Sequence, residues 1–213
     1  YQLLESMYAH NPIRNPVVGT VESIAGLTPE ILYECHRAFY RPGNMVLCVA
    51  GDVDPERVAA AAEEILPMEF SSAVRVDLGQ PEPKGVVRSY VQRRMSVASP
   101  LFEVGFKGEP APEGSRLRQE LVAQLTCDVL LGPSARLYRK LYEQGLINGS
   151  FDGFYDAAPG CAHIMAGGES RDPHRVMEEI VKEAQRLVEG GVDGQLWDRL
   201  KLSLIHVSEP TRL

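Results

Sequence analysis

Several things are scarce in this 213-residue chain, and each scarcity closes off a class of function. No cationic run is longer than Arg93-Arg94, and 22 Lys and Arg face 29 Asp and Glu, for a net charge of −7. Nucleic acid is held by clustered positive charge, so it is excluded as a partner. No apolar stretch approaches the roughly 20 residues that cross a bilayer, so no membrane contact is expected. The four cysteines, Cys35, Cys48, Cys127 and Cys161, lie far apart with no C-x-x-C between them. That argues against a disulfide framework and fits reduced, buried thiols in a cytoplasmic protein.

Catalytic motifs are missing as well. Neither H-E-x-x-H nor H-x-x-E-H occurs around His10, His36, His163, His174 or His206. Glu34 and His36, two apart on an expected helix, face different ways and cannot share an ion. Ser134 lies in Gly-Pro-Ser-Ala-Arg, not G-x-S-x-G, and suits a helix cap. Cys127 sits mid-helix among apolar residues, which raises a thiol pKa instead of activating it. No catalytic residue and no metal ligand is expected within the chain.

What is present is a globular composition, 44% hydrophobic and 24% charged, enough to bury a core. Residues 44–58 read NMVLCVAGDVDPERV. The unalternating apolar run predicts a strand covered on both faces, then a turn at Gly51, with Asp54 capping a helix that has Pro55 in its first turn. One glycine and no lysine make this a turn, not a phosphate cradle. Asp-Pro-x-Arg-Val recurs at 172–176 after another apolar run ending in Gly167-Gly168. The echo hints at two similarly built units.

Thr20 and Thr28 are expected to cap helices, the second with Pro29 in its first turn. Three prolines over 67–85 predict an extended linker. Residues 86–108 offer two strands, and Leu117, Leu121, Leu125 and Val129 repeat along one side of a helix. A helix from 133 stops at Gly145, a strand pair spans 150–168, and helices follow at 173–189 and from Asp193. The reading is α+β, with antiparallel sheets flanked by helices. Position 1 is Tyr, and residues 1–8 read like the end of a helix already under way. LSLIHVSEPTRL at the other end breaks the charged helical pattern and resembles translated adaptor sequence. A fragment truncated at both ends is expected, with 203–213 a non-native tail.

Residues 10–58 closely resemble the pitrilysin/insulinase family of zinc metallopeptidases, of the bacterial processing-peptidase-like branch. The resemblance rests on His10, Gly19-Thr20, Ile24, Leu27-Thr28, Phe39-Tyr40, Pro42, Asn44-Met45 and Gly51-Asp52. It continues at Ser134, Leu137, Leu141 and Gly145-Leu146 and spans roughly 1–202. It implies two related α+β domains forming half of a clamshell. Here these would be the end of the first domain at 1–68, a linker at 69–85 and a second domain at 86–202. It also implies a parent peptidase that cleaves extended peptides, with zinc held by H-x-x-E-H and a later Glu, all upstream of Tyr1. No zinc and no activity would then belong to this fragment alone. A non-catalytic scaffold subunit of the same fold is the alternative. Family members place an Arg and, seven residues on, a Tyr beside the substrate. The corresponding positions here, near Tyr142 and at Asn148 or Gly149, lack that pair. The resemblance therefore implies a homologous partner subunit, in a hetero- or homodimer. Tyr142, Asn148, Phe154 and Tyr155 are the expected substrate contacts.

Overall fold

The computed structural model describes residues 1–66, 74, 77, 79–112 and 114–208. The chain forms two compact units, one of Tyr1–Asn15 with Leu78–Leu213 and the other of Pro16–Asp77. Of the linker expected over 69–85, residues 69–73, 75, 76 and 78 lie outside the described residues.

The first unit begins with α1 (Gln2–Met7), and a 3₁₀ turn at Pro12–Arg14 follows. The described residues of the Pro16–Asp77 unit include α2 (Val21–Ala25), α3 (Pro29–Phe39) and α4 (Pro55–Ile65), with a 3₁₀ turn at Pro42–Asn44. Their starts are chemically explicit. The Thr20 and Ser23 side chains cap each other's backbone amides, Thr28 accepts from Ile31 N, and Asp54 accepts from Glu56 N at 2.9 Å. Each cap satisfies an amide that the first helical turn leaves without a partner. No described residue of this unit is buried. The apolar stripe of α3 stays open, with Leu32 at 57% and Phe39 at 48% exposure.

The covered strand expected over 45–50 is absent. These residues have no paired neighbour among the described residues, and Val46 is 94% exposed. A strand needs a ladder partner, and the described residues of the unit offer none to this run.

The rest of the first unit contains β1 (Leu101–Gly108), α5 (Arg116–Leu130), α6 (Arg136–Glu143), β2 (Asp152–Ala158), β3 (Cys161–Glu169), α7 (Pro173–Gly190) and α8 (Gly194–Ser208). Its sheet is antiparallel throughout, in the order β1-β3-β2. The expected β2–β3 pair is there, closed by Pro159-Gly160 with Gly160 at φ 77°, where only glycine sits without strain. Of the two strands expected over 86–108, only β1 is present; residues 86–97 join no ladder. The helix α8 continues through Ser208, into the stretch read as a tail.

Helices cover one sheet face. Leu131, Leu137, Leu141, Val176 and Ile180 pack with Ala166 of β3 and against Phe102, Val104 and Phe106 of β1. Each fully buried aliphatic side chain contributes about 1.5–3 kcal/mol. The end of α6 is fixed by paired reverse bonds, Leu146 N to Leu141 O and Gly145 N to Tyr142 O, with Gly145 at φ 62°. Leu141 and Leu146, which this turn brings together, are both core residues. The stripe expected on α5 is half right. Leu125 and Val129 are buried, but Leu117 is 69% exposed.

Candidate functional site

Strand alternation decides where the expected substrate contacts lie. Phe154, 44% exposed, is on the sheet face away from the helical core, and Tyr155 is on the helical side. The Tyr155 hydroxyl accepts from Gln119 Nε2 at 3.1 Å. Tyr155 also lines a shallow cleft of about 350 Å³ with Asp156 of β2, Leu117, Glu120 and Leu121 of α5, and Leu204 of α8. Tyr142 is 56% exposed on α6 and stacks on Tyr138 with ring centres 6.2 Å apart. Asn148, in the loop after α6, donates to Glu169 Oε2 at 2.8 Å and accepts from Ser150 N. Phe154 and Tyr155 thus serve opposite faces of β2, and no hydrogen bond or ring contact joins any two of the four residues.

The strongest polar constellation was not visible in the sequence as a site. It is on the outer sheet face, where α1 and the residues after it cover β1 and β3. Glu82 and Lys107 form an ion pair at 2.8 Å, each side chain only 8% exposed. The Glu82 carboxylate also accepts the amides of Ala9 at 2.8 Å, His10 at 2.9 Å and Asn11 at 2.8 Å. Lys107 Nζ donates to the carbonyls of Met7, Pro83 and Gly85, and lies 4.7 Å from the centre of the Tyr8 ring. Burial pushes the Glu82 carboxyl up. The bond from Lys107 and the three amides outweigh this and hold it at about 2. Tyr8, itself fully buried, reaches Ala162 O at 3.1 Å and His163 Nδ1 at 2.8 Å. Burial raises the Tyr8 and Cys161 pKa values and lowers that of His163. The sequence held two signals for this cluster: Lys107 is the lone cation in LFEVGFKG, and His163 is set in an apolar strand. Neither names a partner 25 or 155 residues away.

The polar groups of this cluster bind the segment after α1 to the sheet. Burial pushes the Cys127 thiol up to about 12, far from a nucleophile's range. Among the described residues, no three His, Cys, Asp or Glu side chains converge on a metal-sized site. The nearest approach, His163 Nε2 to Asp156 Oδ2 at 4.0 Å, lacks a third ligand. These residues do not fit a zinc ion.

Comparison with known proteins gives the arrangement its relatives. The family described as "Peptidase M16 inactive domain" matches residues 26–204. The uncharacterized zinc protease YmfH of Bacillus subtilis is 33% identical over 190 residues, which is 84% of this chain and 43% of that protein. An uncharacterized zinc protease of Streptomyces coelicolor is 26% identical over 88% of this chain and 42% of its own length. The chain therefore spans less than half the length of these curated relatives. Among solved structures, an M16-like peptidase from Alicyclobacillus acidocaldarius superposes with a TM-score of 0.85 at 28% identity, over 97% of this chain and 50% of that one. The M16 inactive domain from Pseudomonas fluorescens, at 16% identity and a TM-score of 0.68 over 98% of this chain and 50% of its own, shares the fold. The match over residues 26–204 and the likeness to named zinc proteases place the chain in the M16, or pitrilysin/insulinase, peptidase family.

Proposed function

We propose that the parent protein is a zinc endopeptidase or processing peptidase acting on extended peptides in the cytoplasm, and that this chain supplies a domain without catalytic residues. The observation that carries this reading is the 33% identity to a zinc protease over 84% of the chain. The description of the matched family as an inactive domain supports the non-catalytic role. The zinc ligands belong to the part of the parent preceding Tyr1. Exposed Tyr142, Asn148 and Phe154, with Tyr155 in its cleft, are the groups offered to a peptide. A homologous partner subunit, more readily a different chain than a second copy, supplies the Arg and Tyr that this chain lacks.

The test uses the full-length parent, purified alone and mixed with the product of any adjacent family gene. Stoichiometric zinc, and cleavage of an unfolded peptide that a chelator abolishes, is the expected result. A parent without H-x-x-E-H and without bound zinc would make this a scaffold subunit instead. Cleavage by an isolated monomer as fast as by the mixture would end the partner proposal. Because donors aimed at the developing oxyanion contribute about 10²–10³ in rate, the mixture should exceed the lone chain by about that factor.

A further inference from the structure

A histidine lies at the centre of the outer sheet face with half of its hydrogen-bonding capacity unused. The registers put Lys107 of β1, His163 of β3 and Asp156 of β2 in one row across the sheet. Tyr8 covers the row, its ring edge-on to the imidazole with centres 5.5 Å apart. His163 is 1% exposed, and its Nε2 has no hydrogen-bond partner. The Asp156 carboxylate, half-exposed, is 4.0 Å from Nε2, beyond hydrogen-bond reach. The charged and titratable groups around the ring are thus Tyr8 after α1, Glu82, Lys107 on β1, Asp156 on β2 and Cys161 on β3. Lys107 and Glu82 neutralise each other.

We propose that His163 is an acid-release clasp, holding residues 1–15 on the sheet while neutral and loosening them when protonated. The proton inventory explains the neutral state. With hydrogen on Nδ1, the ring donates to the Tyr8 oxygen, and the single Tyr8 proton goes to the Ala162 carbonyl. A second proton, on Nε2, would put a cation in a site with almost no water and no acceptor in reach. Asp156 attracts that cation, but burial opposes it more strongly, so folding lowers the imidazole pKa.

The sign follows from this depression. The contribution of His163 to holding the segment is fully present above the unfolded pKa of about 6.5 and is lost as pH falls towards the lower folded value. Glu82 behaves differently. Held at about 2 against an ordinary 4.5, it keeps its grip on the amides until pH falls below 4.5. Mild acid therefore acts through His163 while the Glu82 anchor is intact. The clasp works in the same way whether or not the parent is a peptidase.

The experiment is hydrogen–deuterium exchange of the Ala9, His10 and Asn11 amides in the whole chain, from about pH 7 to about pH 5, corrected for the intrinsic pH dependence of exchange. Their protection should fall, by as much as about tenfold for each unit by which folding depresses the imidazole pKa. The fall should vanish in His163→Gln and deepen in Asp156→Asn, which removes the attraction favouring the charged ring. Constant protection, rising protection, or an equal fall in His163→Gln would overturn the clasp. Should His163→Gln fail to fold, NMR titration of the wild-type imidazole decides. A midpoint below the unfolded value of about 6.5 supports the proposal, and one above it sinks it.

Discussion

The same five-residue phrase occurs in both units and meets two different surroundings. Asp54-Pro55-Glu56-Arg57-Val58 opens α4, and Asp172-Pro173-His174-Arg175-Val176 opens α7. Both aspartates cap as their chemistry dictates, accepting from Glu56 N at 2.9 Å and Arg175 N at 3.1 Å. Both prolines take the first turn. Yet Val176 is completely buried and belongs to the core, while Val58 is only half-buried in a unit with no buried described residue. A helix start is written in a handful of neighbouring residues. A core is written in what the rest of the chain brings to the helix.

The comparison can be broken where burial is complete. Leu141→Ala removes a fully buried side chain from the core and should cost about 3–5 kcal/mol, read as a lowered guanidinium midpoint by far-UV circular dichroism. Lys107→Ala leaves the Glu82 carboxylate buried with only its three amides, and should cost about 3 kcal/mol, at the low end for a broken buried pair because those amides remain. Its loss should shrink as pH falls through 4.5, since protonating Glu82 removes the orphan charge. Urea unfolding at neutral and acid pH would show that convergence; a cost independent of pH would mean that the ion pair matters only as packing.

The next comparison is at matched positions. Val176→Ala should cost about 2 kcal/mol and Val58→Ala no more than about 0.5 kcal/mol, by thermal unfolding of the two variants side by side. Equal costs would show that the Pro16–Asp77 unit hides more apolar surface in solution than its side-chain exposures indicate. The smallest effect should be the same in both units. Asp54→Ala and Asp172→Ala each remove a cap and should each cost the local helix about 1 kcal/mol, measured by amide exchange in its first turn.

How much was legible follows the same division. Thr20, Thr28 and Asp54 could be assigned their roles because a cap involves residues two or three positions apart. The β2–β3 pair was readable for the same reason, its turn being Pro159-Gly160. The strand expected over 45–50 failed because an apolar run states only that it wants cover, not that a partner strand exists. Of the candidate site, Tyr142 and Phe154 are exposed. That β2 sends Phe154 and Tyr155 to opposite faces follows from a period of two and was open to derivation. The Glu82–Lys107 anchor was not, because its carboxylate stands in a proline-rich segment whose path no local rule sets.

The Tyr8–His163 contact also has a consequence for synthesis. Tyr8 leaves the ribosome 155 residues ahead of the histidine that receives it. At the usual 5–20 residues per second, that is a delay of roughly 8–30 s. Until then Met7 and Tyr8 have no β3 to cover, and the whole Pro16–Asp77 unit emerges behind them in the meantime. The helix α1 is thus among the last elements of this unit to find its place on the sheet.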